Sequence, residues 1–386
     1  MALIAIAAVA FGLLVLAWLV YPAAMWLRAR GRTLQGGQDA KPTERVAVVV
    51  ATRDDPAFAV DRVRNLLTTA YPPDLIRVFV AVDATSAFAL DTYRSALSGL
   101  AEVVQGDAPG GKATTLNAGV RSASPAADVL VFADVGQEFS TSAIPELVAA
   151  LRDGATGAAT GRYTHGRSDG LMSAYADLEA LIRAGQAAGR SVVSASGSIL
   201  AMRPSLWRDL PEGLICDDLY TGLSVVRQGS RVGFCATAIA FDPRVFTRDQ
   251  QFTRRVRTLT GLIQYCVVVP GVLLPWRNPV WSHFVIHKVL RLLTPILFAI
   301  GVVALGIWLT IRAPLVVAIT LGVLALLVLE FRVMSPTRFR RVWDQAVWSL
   351  RLMVVPVVAI SNGLRGRWSV WTPTSQARAD LRQTGA

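Results

Sequence analysis

The chain has 386 residues, of which 53% are hydrophobic and only 17% charged. That balance excludes a purely soluble protein and leaves room for one domain of about 200–250 residues plus membrane segments. The net charge of +12 is concentrated in arginines beside apolar segments (Arg28, Arg30, Arg32; Arg338, Arg340, Arg341; Arg365, Arg367), which argues for membrane flanks and against nucleic acid as a partner. The three cysteines, Cys216, Cys235 and Cys266, are odd in number and lack metal-type spacing, which suits a reduced cytosolic face.

Residues 1–32 read as an N-terminal transmembrane helix. The apolar stretch from Ala2 to about Trp26 lacks a basic start and is too long for a signal peptide. Arg28, Arg30 and Arg32 place its C-terminal end in the cytoplasm. Residues 33–45 are polar and contain Gly36-Gly37, and read as a linker.

Residues 46–249 read as a cytoplasmic α/β domain. Val46–Ala51, Val78–Val82 and Val129–Phe132 are short unbroken apolar runs, as expected of strands buried on both faces. Helix-compatible stretches at about 58–70, 88–99, 112–122 and 142–152 alternate with them. Ligands of such sheets sit beyond the carboxyl ends of the strands, where Asp54-Asp55, Asp83 and Asp134 fall. After about residue 155 the pattern is less regular. Tyr175–Arg190 and Leu219–Arg227 read as helices, and Ser194–Ser198 as a loop.

Residues 250–291 mix Arg, Trp and aliphatic residues, with Pro270, Pro275 and Pro279 interrupting them, and read as interfacial amphipathic helices. Residues 292–330 read as a transmembrane hairpin turning at Arg312 and Pro314. Residues 331–386 read as a basic cytoplasmic loop, an interfacial or re-entrant segment at about 346–360 that contains Arg351 and Pro356, and a C-terminal tail.

Several ordered pieces carry a resemblance: Val48–Asp55, Ala70-Tyr71-Pro72, Val82-Asp83, Gly111-Lys112 with Leu116–Gly119, Val131–Asp134, Gly157–Gly161, Tyr175 with Glu179 and Arg183, Gly197, Asp217-Asp218, Gln251–Arg255, and His287–Arg291. In this order the chain resembles the family 2 membrane glycosyltransferases, the group that includes hyaluronan, chitin, cellulose and poly-N-acetylglucosamine synthases. The resemblance covers about residues 45–291. It implies a GT-A-like mixed α/β sheet with flanking helices, joined to N-terminal and C-terminal transmembrane helices and interfacial helices. It also implies inverting transfer from a UDP-sugar to a growing extracellular polysaccharide, by a multi-pass protein of the inner membrane. Single transfer to a membrane lipid stays open, and so does a catalytically degenerate membrane partner of the same fold. The bilayer is a further partner, with room for export or accessory proteins.

The resemblance assigns roles to individual residues. Asp218 becomes the general base that takes the acceptor's proton. Asp55, Asp83, Lys112, Asp134 and Arg254 become donor-binding, and Gly197, Asp217, Gln251 and Arg255 acceptor-binding. Asp134 becomes the metal ligand, with Mg²⁺ or Mn²⁺ as cofactor. More local readings of the same residues are a strand-end turn for Asp83, a helix N-cap for Asp217-Asp218, and an ordinary helix ion pair for Glu179 and Arg183. Two positions depart from the family pattern. Gly136 stands where a second acidic or amide residue is expected, and Arg255 stands where a Trp is expected.

Overall fold

The computed structural model describes residues 1–30, 42–165 and 170–369. The expected linker therefore lies outside the described residues except for 42–45, as does the tail beyond 369. Among the described residues the strands are β1 (Val46–Thr52), β2 (Ile76–Val82), β3 (Glu102–Gln105), β4 (Val129–Ala133), β5 (Glu138–Phe139), β6 (Thr156–His165), β7 (Ile199–Met202) and β8 (Arg231–Asp242). They form one sheet in the order β3-β2-β1-β4-β7-β6-β8-β5. The β3-β2-β1-β4 half is parallel. β7 joins it antiparallel, and β6 runs parallel to β8. The sheet is mixed, as expected, and GT-A-like.

The unbroken apolar runs follow from two covered faces. Val46, Val48 and Val50 of β1 point into one core with Ala59, Val63 and Leu66. Ala47 and Val49 point the other way, toward Leu116, Val120 and Phe132. Alternate side chains of a strand leave opposite faces, so a strand buried on both sides keeps no polar alternation. Helices Pro56–Leu67, Leu90–Ala96, Lys112–Ala123 and Ala143–Ala149 fill the expected connections. One difference lies in the second half. No strand is legible in the sequence just after the Ser194–Ser198 loop, yet β7 runs through the middle of the sheet between β4 and β6.

Among the described residues, four helices are long and apolar enough to cross a membrane: Ala2–Ala29, Thr294–Arg312, Pro314–Met334 and Pro336–Leu364. The first contains a π turn at Leu16–Val20. It packs along Thr294–Arg312 and along the domain helix Gly170–Gly189. Its stripe of Ala7, Ala10, Ala17, Tyr21 and Met25 is buried. Ala313 breaks the next two helices apart, near the expected turn. Pro314–Met334 has no buried residue.

In the C-terminal third, most of the basic stretch 331–341 is helical. The segment 346–360 lies within Pro336–Leu364, one helix that continues through Pro356. Its partner is the helix Arg248–Val268, which lies between it and the sheet domain. Arg351 pairs with Asp249 at 2.6 Å, and Asn362 Nδ2 donates to Thr260 Oγ1 at 3.4 Å. A proline inside a helix is tolerated where neighbouring elements hold the flanking turns. Beyond Arg248–Val268, the chain forms a helical stretch over 281–292 with a π turn at Val285–Val289.

Candidate active site

Strand ends deliver the polar groups. Asp83 follows β2 and is buried. Its Oδ1 accepts from Thr85 N at 2.8 Å and Thr85 Oγ1 at 2.7 Å, and its Oδ2 accepts from Gly111 N at 2.8 Å. It thus clamps the Gly110-Gly111 turn, where φ is +99° and +101° and a side chain at 110 would run into Asp83. That turn leads directly into the helix Lys112–Ala123. Asp55, by contrast, caps the helix Pro56–Leu67, with Oδ1 accepting from Ala57 N at 2.8 Å.

Lys112 is the hub. Its Nζ lies 2.9 Å from Asp134 Oδ1 and 3.1 Å from Asp217 Oδ2. Asp134 is the residue after β4, and Asp217-Asp218 open the helix Asp217–Arg227. A helix N-terminus favours carboxylates electrostatically. The N-cap itself is Cys216 and not either aspartate, while Asp218 Oδ1 accepts from Leu219 N at 2.8 Å. Gly197 closes the other side, since a Cβ there would lie 3.2 Å from Asp218 Cβ and 3.6 Å from Asp217 Oδ2. Asp134, Lys112, Asp217, Asp218 and Gly197 therefore meet in one place, with the Asp83 turn beside Lys112. Burial pushes the Asp217 carboxyl up, the nearby Asp218 and Asp134 charges add to this, and Lys112 pulls it back. Burial alone would depress the Lys112 ammonium, but Asp134 and Asp217 outweigh it and raise its pKa.

The helix Arg248–Val268 carries Gln251, Arg254 and Arg255. Gln251 Nε2 donates to Phe246 O at 3.1 Å, while its Oε1 is buried without a hydrogen bond. Arg254 lies over the Phe246 ring, 4.0 Å from its centroid. Arg255 lies over the Tyr175 ring, 4.9 Å from its centroid. Among the described residues no hydrogen bond or ion pair joins Gln251 or Arg254 to Lys112, Asp134 or Asp217. Asp55 is likewise not joined to them.

One cluster escaped the sequence reading. Asp242 ends β8 and is fully buried. It accepts from Arg244 Nε at 2.8 Å and Nη2 at 2.7 Å, from Tyr163 OH at 2.6 Å and from Gln137 Nε2 at 3.2 Å. Burial works against its ionisation, yet Arg244 holds its carboxyl below the usual range. The available signal was the one used for Asp83 and Asp134, a carboxylate closing an apolar run.

Arg244 in turn occupies the space beside Gly136. A Cβ on Gly136 would lie 2.5 Å from the guanidinium carbon and 2.6 Å from Nη1. The fit to a divalent cation is correspondingly poor. Asp134 is one carboxylate, already paired with Lys112. Residue 136 supplies no side-chain oxygen, and a guanidinium fills the place of its side chain. Among the described residues no group of three or more His, Cys, Asp or Glu could hold a metal ion.

A second network borders the first membrane helix. Glu179 accepts from Arg291 Nη1 at 2.6 Å and from His287 Nε2 at 3.1 Å, in place of the expected pair with Arg183. Burial lowers His287 to about 4, so it is neutral at pH 7, with Nε2 donating to Glu179 and Nδ1 facing Gln186 Nε2 at 3.2 Å. Burial opposes ionisation of Glu179, but His287, Lys288 and Arg291 hold its carboxyl well below the usual range. Burial also lowers the Lys288 ammonium, which lies within electrostatic reach of Glu179, Arg183 and Asp218. The two π turns, Leu16–Val20 and Val285–Val289, pack together here.

The family model described as "Glycosyltransferase like family 2" matches residues 42–266, which is more than half of the chain. The chain belongs to this glycosyltransferase family. It is therefore an enzyme of the nucleotide-sugar-dependent class. Among solved structures, this glycosyltransferase is similar to the mannosyltransferase PcManGT from Pyrobaculum calidifontis in complex with GDP-Man and Mn²⁺. The TM-score is 0.65 at 18% identity, covering 93% of this chain and 99% of that one. TarS 1-349 from S. aureus, in complex with UDP-GlcNAc, matches at a TM-score of 0.43 and 11% identity, covering 69% of this chain and 81% of that one. No curated protein matches the sequence.

Proposed function

We propose that this glycosyltransferase moves one sugar from a nucleoside-diphosphate sugar to a hydroxyl of an anionic membrane lipid, at the cytoplasmic face of the inner membrane. A UDP-sugar is the donor implied by the resemblance. Asp218 takes the proton of the acceptor hydroxyl as that oxygen bonds to the anomeric carbon and the bond to the nucleoside diphosphate breaks. One displacement inverts the configuration.

The observation that carries the acceptor class is the pair Lys288 and Arg183. Both lie between the catalytic aspartates and the first membrane helix. Lys288 makes no hydrogen bond or ion pair among the described residues, and Arg183 Nε is buried without a hydrogen bond. Both side chains are half-buried, and a lipid phosphate beside the reacting hydroxyl would give both cations a partner. Lys288 sits on a π turn, a feature that often marks functional sites. A neutral glycan offers these cations nothing, and Arg255 stands where a stacking Trp was expected. Processive polysaccharide synthesis keeps one support, the three long apolar helices that follow the catalytic domain.

The test uses purified protein in nanodiscs, a panel of UDP-sugars, and phosphatidylglycerol or phosphatidylinositol against diacylglycerol. One sugar per anionic lipid is expected. Lys288→Gln should raise the lipid KM by about tenfold or more, the size of a lost charged hydrogen bond, while leaving nucleotide binding intact. A ladder of longer products, or equal rates on diacylglycerol, would sink the lipid reading.

A further inference from the structure

We infer that Arg244 takes the place of a divalent cation in this site, so that nucleoside-diphosphate binding here does not need metal. The inference rests on the nucleotide-sugar chemistry of the family and is independent of the acceptor. Three observations converge on it. Residue 136, expected to supply the second oxygen ligand, is glycine and has no side chain. The guanidinium of Arg244 lies in the volume that such a side chain would fill, with Cζ, Nη1 and Nη2 all within 2.7 Å of an ideal Cβ. Arg244 and Asp134 are near enough for the carboxylate to stabilise the guanidinium's charge.

The guanidinium is built in. Asp242 grips it through Nε and Nη2 in a two-point bond, from a position with no solvent exposure. Tyr163 and Gln137 hold Asp242 in turn. This leaves Nη1 without a hydrogen bond among the described residues, and it is not sealed from solvent. A fixed planar cation with one free edge suits a phosphate oxygen. Lys112, held by Asp134 and Asp217, supplies a second positive charge at the same place. Two fixed cations and one carboxylate can offset the charge that develops on a departing diphosphate, the task a metal performs elsewhere. The same two cations repel a divalent ion from Asp134.

The arrangement also explains why glycine stands at 136. Any larger residue would displace the guanidinium, so Gly136 and Arg244 form one packed pair. Asp242, Tyr163 and Gln137 are positioning residues for Arg244.

The experiment measures UDP and GDP affinity of the full-length protein in nanodiscs by calorimetry, in EDTA and then with Mn²⁺. The wild type should bind its preferred nucleotide with affinities that agree within about threefold in the two conditions. Arg244→Gln should weaken that binding by about 10- to 100-fold in EDTA, the size of a lost charge-assisted hydrogen bond to phosphate. Because Arg244 also neutralises buried Asp242, the double variant Asp242→Asn/Arg244→Gln supplies the same test with no stranded charge, and its Tm verifies folding. Gly136→Asp added to that double variant, read by electron paramagnetic resonance of bound Mn²⁺, should create metal-dependent binding that the wild type lacks. A wild-type affinity that falls by about tenfold or more in EDTA and returns with Mn²⁺ would overturn the inference. So would unchanged metal-free binding in the folded double variant. Failure of the lipid reading alone leaves these binding results unaffected.

Discussion

Replacing Lys112 by methionine removes the shared cation of Asp134 and Asp217 and keeps most of the volume of its stem. The wild-type contacts are 2.9 and 3.1 Å, with the Lys112, Asp134 and Asp217 side chains 28, 35 and 16% exposed. An opposite charge at this range moves a carboxyl by about 1–3 pKa units, or about 1.4–4 kcal/mol. Asp134 is more than a third exposed, so solvent screening reduces the expected loss to about 1–3 kcal/mol at neutral pH. The sign follows from linkage. Asp217 is already raised above its ordinary 3.8 by burial, and losing Lys112 raises it further. The unfolded chain then releases its proton at lower pH than the folded protein, so stability falls as pH rises through that window. The raised Lys112 ammonium contributes fully below its ordinary 10.5, so the wild type keeps this contribution throughout the acid and neutral range. The deficit of the variant should therefore be largest near about pH 8 and shrink toward about pH 4. The assay is Tm by tryptophan fluorescence in nanodiscs across that range. A deficit that is constant with pH, or that grows toward acid, would refute the shared-cation argument.

Asp218→Asn keeps the shape of the proposed base but cannot take a proton. Sugar transfer should fall by about 10²–10⁴-fold with nucleotide affinity nearly unchanged, and a transfer rate near wild type would remove Asp218 from the mechanism. Glu44→Gln tests a structural pair, since the side-chain bond from Arg152 lowers Glu44 from 4.5 to about 2. That shift corresponds to about 3 kcal/mol, discounted to about 1–2 because both side chains are a quarter exposed. The pair's contribution is complete above about pH 4.5 and is lost as pH falls through about 2, so variant and wild type should converge in Tm only in strong acid. Asn117→Leu should cost about 1–3 kcal/mol, read as a fall in Tm, because Asn117 pairs with both the N–H and the C=O of Leu210 at 2.9 and 3.0 Å.

The parts of the fold most legible in the sequence were those fixed by local pattern. Val46–Ala51, Val78–Val82 and Val129–Phe132 were recognisable as strands because both their faces are covered, which removes polar residues from the run. The second half of the sheet was harder to read. β7 has four residues and earns its central place from partners β4 and β6, the nearer of which is separated from it by the helix Gly170–Gly189. The final helix was obscured by Arg351 and Pro356, which argue locally against a continuous helix. Asp249 and Phe252 on a different helix receive Arg351, and Pro356 is buried.

The site divides in the same way. Asp83, Asp134 and Asp217-Asp218 announce themselves because a carboxylate at a strand end or helix start has a local signature. What such a carboxylate faces has none. Lys112 could be singled out from its glycine turn, but its simultaneous contact with Asp134 and Asp217 depends on three elements converging. Gly136 looked like a lost ligand when only its neighbours in sequence were considered. In the folded chain, the β6–β8 pair carries Tyr163 and Asp242 to one place, and the chain turns after Asp242 so that Arg244 returns against Gly136. A guanidinium held through two of its nitrogens has little freedom left to leave that space. The departure from the family pattern at 136 is thus one half of a packed pair, and its chemical meaning is set by a residue that no local motif contains.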